Sequence, residues 1–216
     1  MTKILLTRHG HVEGIEPERF RGRAPLELTE RGRAQAAAVA RRIADGWRVR
    51  RIYTSPLKRC VDTGAAIAKA SGAAVEICDD LNDIDYGAWQ FKTLAYAKKD
   101  DPELFAAWFA TPQLVRFPSG EALQDVAARA ANALRFVLAR HARDTIVLVG
   151  HDSVNRVLLL QLLGLPLEDY RRLAQAPCCL NEIDINGGDV CVVRLNETHH
   201  LGQLATNAPA RRKKST

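Results

Sequence analysis

Ile4-Leu5-Leu6-Thr7-Arg8-His9-Gly10 opens the chain with an apolar run that ends in arginine, histidine and glycine. The run reads as a strand. A histidine at the carboxyl end of a strand in an open α/β sheet stands where such sheets bind small ligands. The arginine beside it offers a planar fork of donors that fits phosphate oxygens. Three residues recur by chance, so the stretch takes its meaning from two others further along.

Arg51-Ile52-Tyr53-Thr54-Ser55 reads as a second strand, stopped at Pro56. Leu57 to about Ala70 is helical, which sets Pro56 near the first helical position, where a missing N–H costs nothing. Arg59 then falls in the first turn, where free N–H groups and the helix dipole favour an anion. Thr145-Ile146-Val147-Leu148-Val149 is almost wholly apolar, as expected of a central parallel strand covered on both faces. Gly150-His151 ends it, ahead of a helical run from Val154 to Leu163. Three strand ends thus deliver Arg8, His9, Arg59 and His151 to one edge of a parallel sheet.

With these residues in place the chain resembles the histidine phosphatase superfamily, in its phosphoglycerate-mutase-like branch. The likeness runs from about Lys3 to Leu195 and is carried by five blocks in the family's order. They are Leu6-Thr7-Arg8-His9-Gly10, Pro25 to Ala36, Tyr53 to Thr63, Leu81 to Trp89, and Val149-Gly150-His151-Asp152. The resemblance implies that His9 is the nucleophile that becomes phosphorylated, with Arg8, Arg59 and His151 holding the phosphoryl oxygens. The family's proton donor is usually a glutamate in a Leu-x-Glu-x-x-x-Gly block, and here Asp83 occupies that place. Asp152 is the rival, because the acid phosphatase branch takes its acid from a pair like His151-Asp152; the block around Asp83 favours Asp83. Relatives often follow Arg-His-Gly with Glu-Thr and a phosphate-touching asparagine, whereas this chain has His11-Val12. Arg21, before Gly22, is the candidate to replace that donor. Trp89-Gln90-Phe91 replaces the usual Trp-Glu-Gly and points to a separate substrate loop.

The chemistry asks for such a set. A phosphate monoester carries roughly −1.5 to −2 charge near neutral pH, and its transfer needs positioning and neutralisation more than covalent help. Two arginines and a protonated second histidine supply that charge without a metal, so no metal and no cofactor are expected. Attack through one nitrogen of neutral His9 divides hydrolysis into two easier steps. The other nitrogen has to be held, most simply on a backbone carbonyl, to fix the tautomer. The acid then protonates the leaving alkoxide and later takes a proton from the attacking water. His11 beside His9 suggests a metal pair but lacks a third ligand. His199-His200 reads as solvated polar sequence, and Trp89, Trp108 and Phe109 as packing.

At 216 residues and 47% hydrophobic, the chain suits one domain, residues 1–205, with its own core. The net charge of +6 invites a nucleic-acid reading, but Arg211, Arg212, Lys213 and Lys214 supply four of those charges. Without them, 27 basic residues face 25 acidic ones, so no nucleic acid is expected to bind the fold. Residues 206–216 read as a basic, disordered tail. Cys60, Cys78, Cys178, Cys179 and Cys191 show neither Cys-x-x-Cys spacing nor a secreted scaffold, which fits reduced thiols in the cytoplasm. Met1-Thr2-Lys3 leads straight into the first strand, so no cleaved signal peptide is expected. Val157 to Leu167 is the longest apolar stretch, and Gln161, Gly164 and Pro166 break it, which excludes a membrane span. The expected partner is a small phosphorylated substrate; a homodimer is left open.

The remaining pattern fixes the fold class. Thr29 caps an alanine-rich helix to about Ala44, and Ala74 to Cys78 is a short strand. Ala88 to Gly120 holds two short helical pieces and three prolines, a lid over the site. Ser119 is expected to cap a long helix with Leu123, Val126, Ala130, Leu134 and Val137 on one face. Asn181 to Ile185 and Asp189 to Leu195 alternate around Asn186-Gly187-Gly188, a hairpin. The expectation is a three-layer α/β/α sandwich with a mostly parallel central sheet and an antiparallel edge. The activity read from it is metal-independent hydrolysis of a phosphomonoester. The alternative is a phosphomutase, followed by a phosphoprotein phosphatase or a non-catalytic phospho-ligand binding protein. Mutases usually carry a longer, more basic insertion than the one here, which offers Lys92, Lys98, Lys99 and Arg116.

Overall fold

The computed structural model describes residues 1–205 of the protein, and the basic tail expected at 206–216 lies outside them. Six strands form one sheet in the order β3-β2-β4-β1-β5-β6. They are β1 (Thr2–Arg8), β2 (Val49–Thr54), β3 (Ala74–Ile77), β4 (Thr145–Gly150), β5 (Leu180–Asn186) and β6 (Asp189–Glu197). β3, β2, β4 and β1 run parallel, β5 runs antiparallel to β1, and β6 antiparallel to β5. The hairpin turns at Gly187, whose φ of +61° suits a residue without a side chain.

Six helices cover the sheet: α1 (Glu30–Gly46), α2 (Lys58–Ser71), α3 (Leu94–Asp100), α4 (Pro102–Ala110), α5 (Leu123–Arg140) and α6 (Asp152–Leu163). Successive strand residues point to opposite faces, and both faces are buried. Leu5, Val147 and Val149 pack with Val39, Ile43 and Ile67 of α1 and α2. Ile4, Leu6, Ile146 and Leu148 pack with Val126, Ala130, Val157 and Leu158 of α5 and α6. Burial on both faces is why β1 and β4 read as unbroken apolar runs rather than alternating ones. The three layers are those expected.

Several local readings are corrected. Pro56 precedes Leu57, which is the residue flanking α2, so the proline stands outside the helix rather than at its first position. Ser119 does not cap α5. It sits in a turn at φ +56°, and the helix begins at Leu123 after Ala122, whose N–H donates to Asp125 at 2.8 Å. The chain stays extended there because the Glu121 N–H reaches the Asp85 carbonyl at 2.9 Å. His200 is not solvated: its side chain is 5% exposed and its Nε2 lies 3.0 Å from the Cys178 carbonyl. Thr29 does cap α1, accepting from the Gly32 N–H at 3.1 Å. Trp89 and Trp108 are buried in an aromatic cluster with Phe20, Tyr86 and Phe117. No helix among the described residues is long and apolar enough to cross a membrane.

Candidate active site

The carboxyl ends of β1, β2 and β4 meet at one edge, and each carries a reactive side chain into the same small volume. His9 follows β1 directly and is 2% exposed. Its N–H donates to the Gly150 carbonyl at 3.1 Å, which ties the residue to the end of β4. Its Nδ1 lies 2.7 Å from the Gly10 carbonyl. A carbonyl can only accept, so Nδ1 carries the proton and Nε2 keeps its lone pair. Arg59, the second residue of α2, donates from Nε to that Nε2 at 3.2 Å. The same guanidinium donates to the Ala24 and Gly22 carbonyls at 2.9 and 2.6 Å, and to Asp83 Oδ2 at 3.2 Å. Arg59 therefore joins His9, Asp83 and the 11–29 loop in one fully buried group.

Gly10 and Gly32 allow the loop behind His9 to lie directly on α1. A Cβ on Gly10 would collide with the Gly32 carbonyl, and one on Gly32 with the His11 carbonyl. Nothing with a side chain fits between the two segments.

His151 follows β4 directly and lies at 5.1 Å, ring to ring, from His9. Its Nε2 pairs with Ser55 Oγ at 2.7 Å and its Nδ1 is 3.6 Å from Asp83 Oδ2. Burial, then Arg59, His151 and Arg8, hold the His9 imidazole well below its ordinary range, in the neutral form. Burial, then Arg59, Arg8, Arg129 and Arg21, do the same for His151. The second histidine expected to be protonated is thus neutral against the protein's own charges; a phosphate dianion would bring the opposite sign.

Asp83 lies inside this cluster. Its Oδ1 accepts the Ile84 N–H at 3.0 Å and the Ser153 hydroxyl. Its loop is clamped from outside: Arg129 donates to the Asp80, Asn82 and Asp83 carbonyls, and Glu121 ties Arg129 and Arg23 together. Asp152 lies 3.8 Å from Arg8 Nη1. Burial would raise its carboxyl, but Arg156, Arg8 and Arg21 outweigh burial and hold it below the ordinary range. Arg156 meets it at 3.0 Å.

Arg8 donates from Nη1 to the Gln175 carbonyl at 2.6 Å. Its Nε and Nη2 are buried with no hydrogen-bond partner among the described residues. Unmade hydrogen bonds of that kind cost on the order of 1–3 kcal/mol each, and an oxyanion would satisfy both. Arg21 is half-buried and anchored by the Gly14 carbonyl at 2.7 Å. It lines a pocket with Asp152, Tyr86, Trp108, Arg156 and Tyr170, so segment 88–120 forms a wall beside the site. His11 pairs with Thr29 Oγ1 at 3.0 Å. Among the described residues no three His, Cys, Asp or Glu side chains gather as a metal-ligand set.

Sequence reading missed Ser55, Ser153, Glu121 and Arg129. Ser55 and Ser153 flank the strand ends already singled out, so the sheet-edge logic could have included them. Glu121 and Arg129 carry no such signal, because only the fold brings them to the Asp83 loop.

Residues 4–198 match the sequence model of the histidine phosphatase superfamily, branch 1. Phosphoserine phosphatase 1 of Hydrogenobacter thermophilus is 31% identical over 208 residues, covering 96% of this chain and 98% of that one. A metal-independent phosphoserine phosphatase of Arabidopsis thaliana is 30% identical over 165 residues, 75% of this chain and 69% of its own. Among solved structures, Bacillus stearothermophilus YhfR is similar with a TM-score of 0.87 at 26% identity, over 93% of this chain and 100% of that one.

Proposed function

The chain belongs to branch 1 of the histidine phosphatase superfamily, and we propose that it hydrolyses a small phosphomonoester, without a metal, through a phosphohistidine on His9. The observation that carries this reading is the His9 ring. Its Nδ1–H is held by the Gly10 carbonyl and its basic Nε2 faces the cluster beside Arg59. A neutral imidazole fixed in that tautomer is a ready nucleophile.

In the proposed sequence the His9 Nε2 attacks phosphorus in line with the ester oxygen. Arg8 and Arg59 hold the equatorial oxygens, with His151 taking up a proton as the dianion enters. Asp83, which must enter the substrate complex in its acid form, gives its proton to the leaving alkoxide, and the P–O bond breaks as the N–P bond forms. Asp83 then takes a proton from water as that water attacks phosphohistidine, releasing inorganic phosphate and free His9. Asp83 is favoured over Asp152 by position: it shares Arg59 with His9 Nε2 and lies 3.6 Å from His151 Nδ1, whereas Asp152 lies against Arg8 and Arg156. Hydrolysis is favoured over mutase chemistry because Lys92, Lys98, Lys99 and Arg116 are exposed and none lines the pocket. The five cysteines are free thiols, which supports a cytoplasmic location.

Brief reaction with an activated aryl phosphate in the presence of EDTA should give an acid-labile, base-stable phosphoenzyme, absent from His9→Ala. Equal labelling of that variant would refute the assignment, and loss of labelling to EDTA would refute metal independence. Conversion of 3-phosphoglycerate to its 2-isomer without phosphate release would replace the phosphatase with a mutase.

A further inference from the structure

After β6 the chain makes one more short turn, His199–Leu204, which lies on α1. Its Leu201 is buried with Val39 and Ile43 of α1 and Leu5 of β1. No step of the proposed hydrolysis calls on this segment. Its polar contacts nevertheless lead back to His9.

They do so through Gln35 of α1, a fully buried side chain. Gln35 Nε2 donates to the Leu204 carbonyl at 2.7 Å, and Oε1 accepts the His11 N–H at 2.8 Å. That N–H belongs to the same peptide unit as the Gly10 carbonyl, which holds His9 Nδ1 at 2.7 Å. A peptide unit is planar and rigid, so fixing its N–H fixes the direction of its carbonyl. A hydrogen bond on the N–H also polarises the carbonyl at the other end. A methionine in place of Gln35 would fill the space and leave the His11 N–H without its acceptor.

The far side of Gln35 is held in turn. Arg31 donates to the Leu204 and Ala205 carbonyls at 3.3 and 2.8 Å. At the start of the turn, His200 Nε2 lies 3.0 Å from the Cys178 carbonyl. The Cys178 N–H donates to the Arg8 carbonyl at 3.1 Å. Segment 199–205 thus reaches the backbone on both flanks of His9.

We infer that Gln35 is a positioning residue for His9. It turns the Gly10–His11 peptide so that the Gly10 carbonyl keeps the ring proton on Nδ1 and leaves Nε2 free. Segment 199–205 anchors Gln35 for that task. The inference rests on the proposed phosphohistidine reading and names what aims that nucleophile.

The test separates aim from binding. Gln35→Met should slow single-turnover phosphorylation by an activated aryl phosphate about tenfold or more, since a displacement of 1 Å can cost on the order of 10². Inhibition by orthophosphate, which needs the arginines and not an aimed ring, should stay within about threefold. The nitrogen chemical shifts of the His9 imidazole should report a single Nδ1–H tautomer in the wild type and a mixture in the variant. Arg31→Met, made on a partly exposed side chain, should give the same kinetic split at about threefold. A wild-type phosphorylation rate in folded Gln35→Met overturns the positioning role, as does an equal loss of orthophosphate inhibition. If Gln35→Met does not fold, Arg31→Met decides, and a wild-type rate there overturns the anchored Gln35. If the wild-type protein forms no phosphoenzyme, the phosphohistidine reading falls and the tautomer decides alone. Its loss in Gln35→Met upholds the positioning of His9, and its retention overturns it.

Discussion

Asp83 contacts Arg59 and lies near His151, whereas Asp152 lies between Arg8 and Arg156, and the proposed mechanism gives them different work. A general acid matters most when the leaving group is a poor one, because an alkoxide needs its proton in the transition state. Asp83→Asn should therefore cost about 10²–10⁴ in rate with an alkyl phosphate and far less with p-nitrophenyl phosphate. Asp152→Asn should lower both substrates alike, since it loosens Arg8 and Arg156 rather than removing a proton. Leaving-group dependence in the Asp152 variant would transfer the acid role to that residue. His9 and His151 make a second prediction. Their pKa values are lowered in the folded protein, while unfolded histidine titrates near 6.5. Below that pH the unfolded chain binds protons the folded chain refuses, so stability is full above about 6.5 and falls as pH drops. The slope reaches about 1.4 kcal/mol per pH unit for each histidine. Urea denaturation from pH 7 to 5 should show this loss, and replacing both histidines by glutamine should flatten it.

At the scale of elements, the contact between the His9 loop and α1 sets two preferences against each other. Alanine in a helix is worth about 1 kcal/mol over glycine, so propensity alone would make Gly32→Ala stabilising. The collision with the His11 carbonyl opposes this, and overpacking of that kind costs about 1–3 kcal/mol. The expected result is a net loss in chemical denaturation together with reduced activity, because the displaced loop carries His9; a gain in stability would show that the loop can yield. Elements were legible where burial leaves a local mark. Ile146 to Val149 had to be apolar on both faces, and Asn186-Gly187-Gly188 had to turn. Ser119 was misread because a serine ahead of an amphipathic helix has the right local chemistry for a cap. What moved the start to Leu123 was the Asp85 carbonyl, more than thirty positions away in sequence.

For the whole molecule, convergence of three parallel strand ends means that an anion bound as proposed is linked to global stability. A ligand at about one hundred times its Kd adds about 2.7 kcal/mol, and at this chain length each kcal/mol moves Tm by about 2–4 °C. Inorganic phosphate at that excess should raise Tm by about 5–10 °C, and Arg8→Met should remove most of the shift. A wild-type Tm indifferent to phosphate would contradict the site. The quartet Arg8, His9, Arg59 and His151 was legible because each member sits at the end of a strand or the start of a helix that can be read locally. The clamp of Glu121 and Arg129 was not, since nothing near either residue encodes the Asp83 loop they hold.

The placement of β1 between β4 and β5 has a consequence for synthesis. β1 leaves the ribosome first, yet its first partner begins at Thr145 and its second at Leu180. At about 5–20 residues per second, Ile4, Leu5 and Leu6 wait on the order of ten seconds or more without a neighbouring strand. A nascent chain that stops short of Thr145 carries His9 but lacks the Gly150 carbonyl that its N–H is bonded to. The first of these strands to be made is among the last to be paired, and the sheet edge that gathers His9, Arg59 and His151 cannot assemble until β4 has been synthesised.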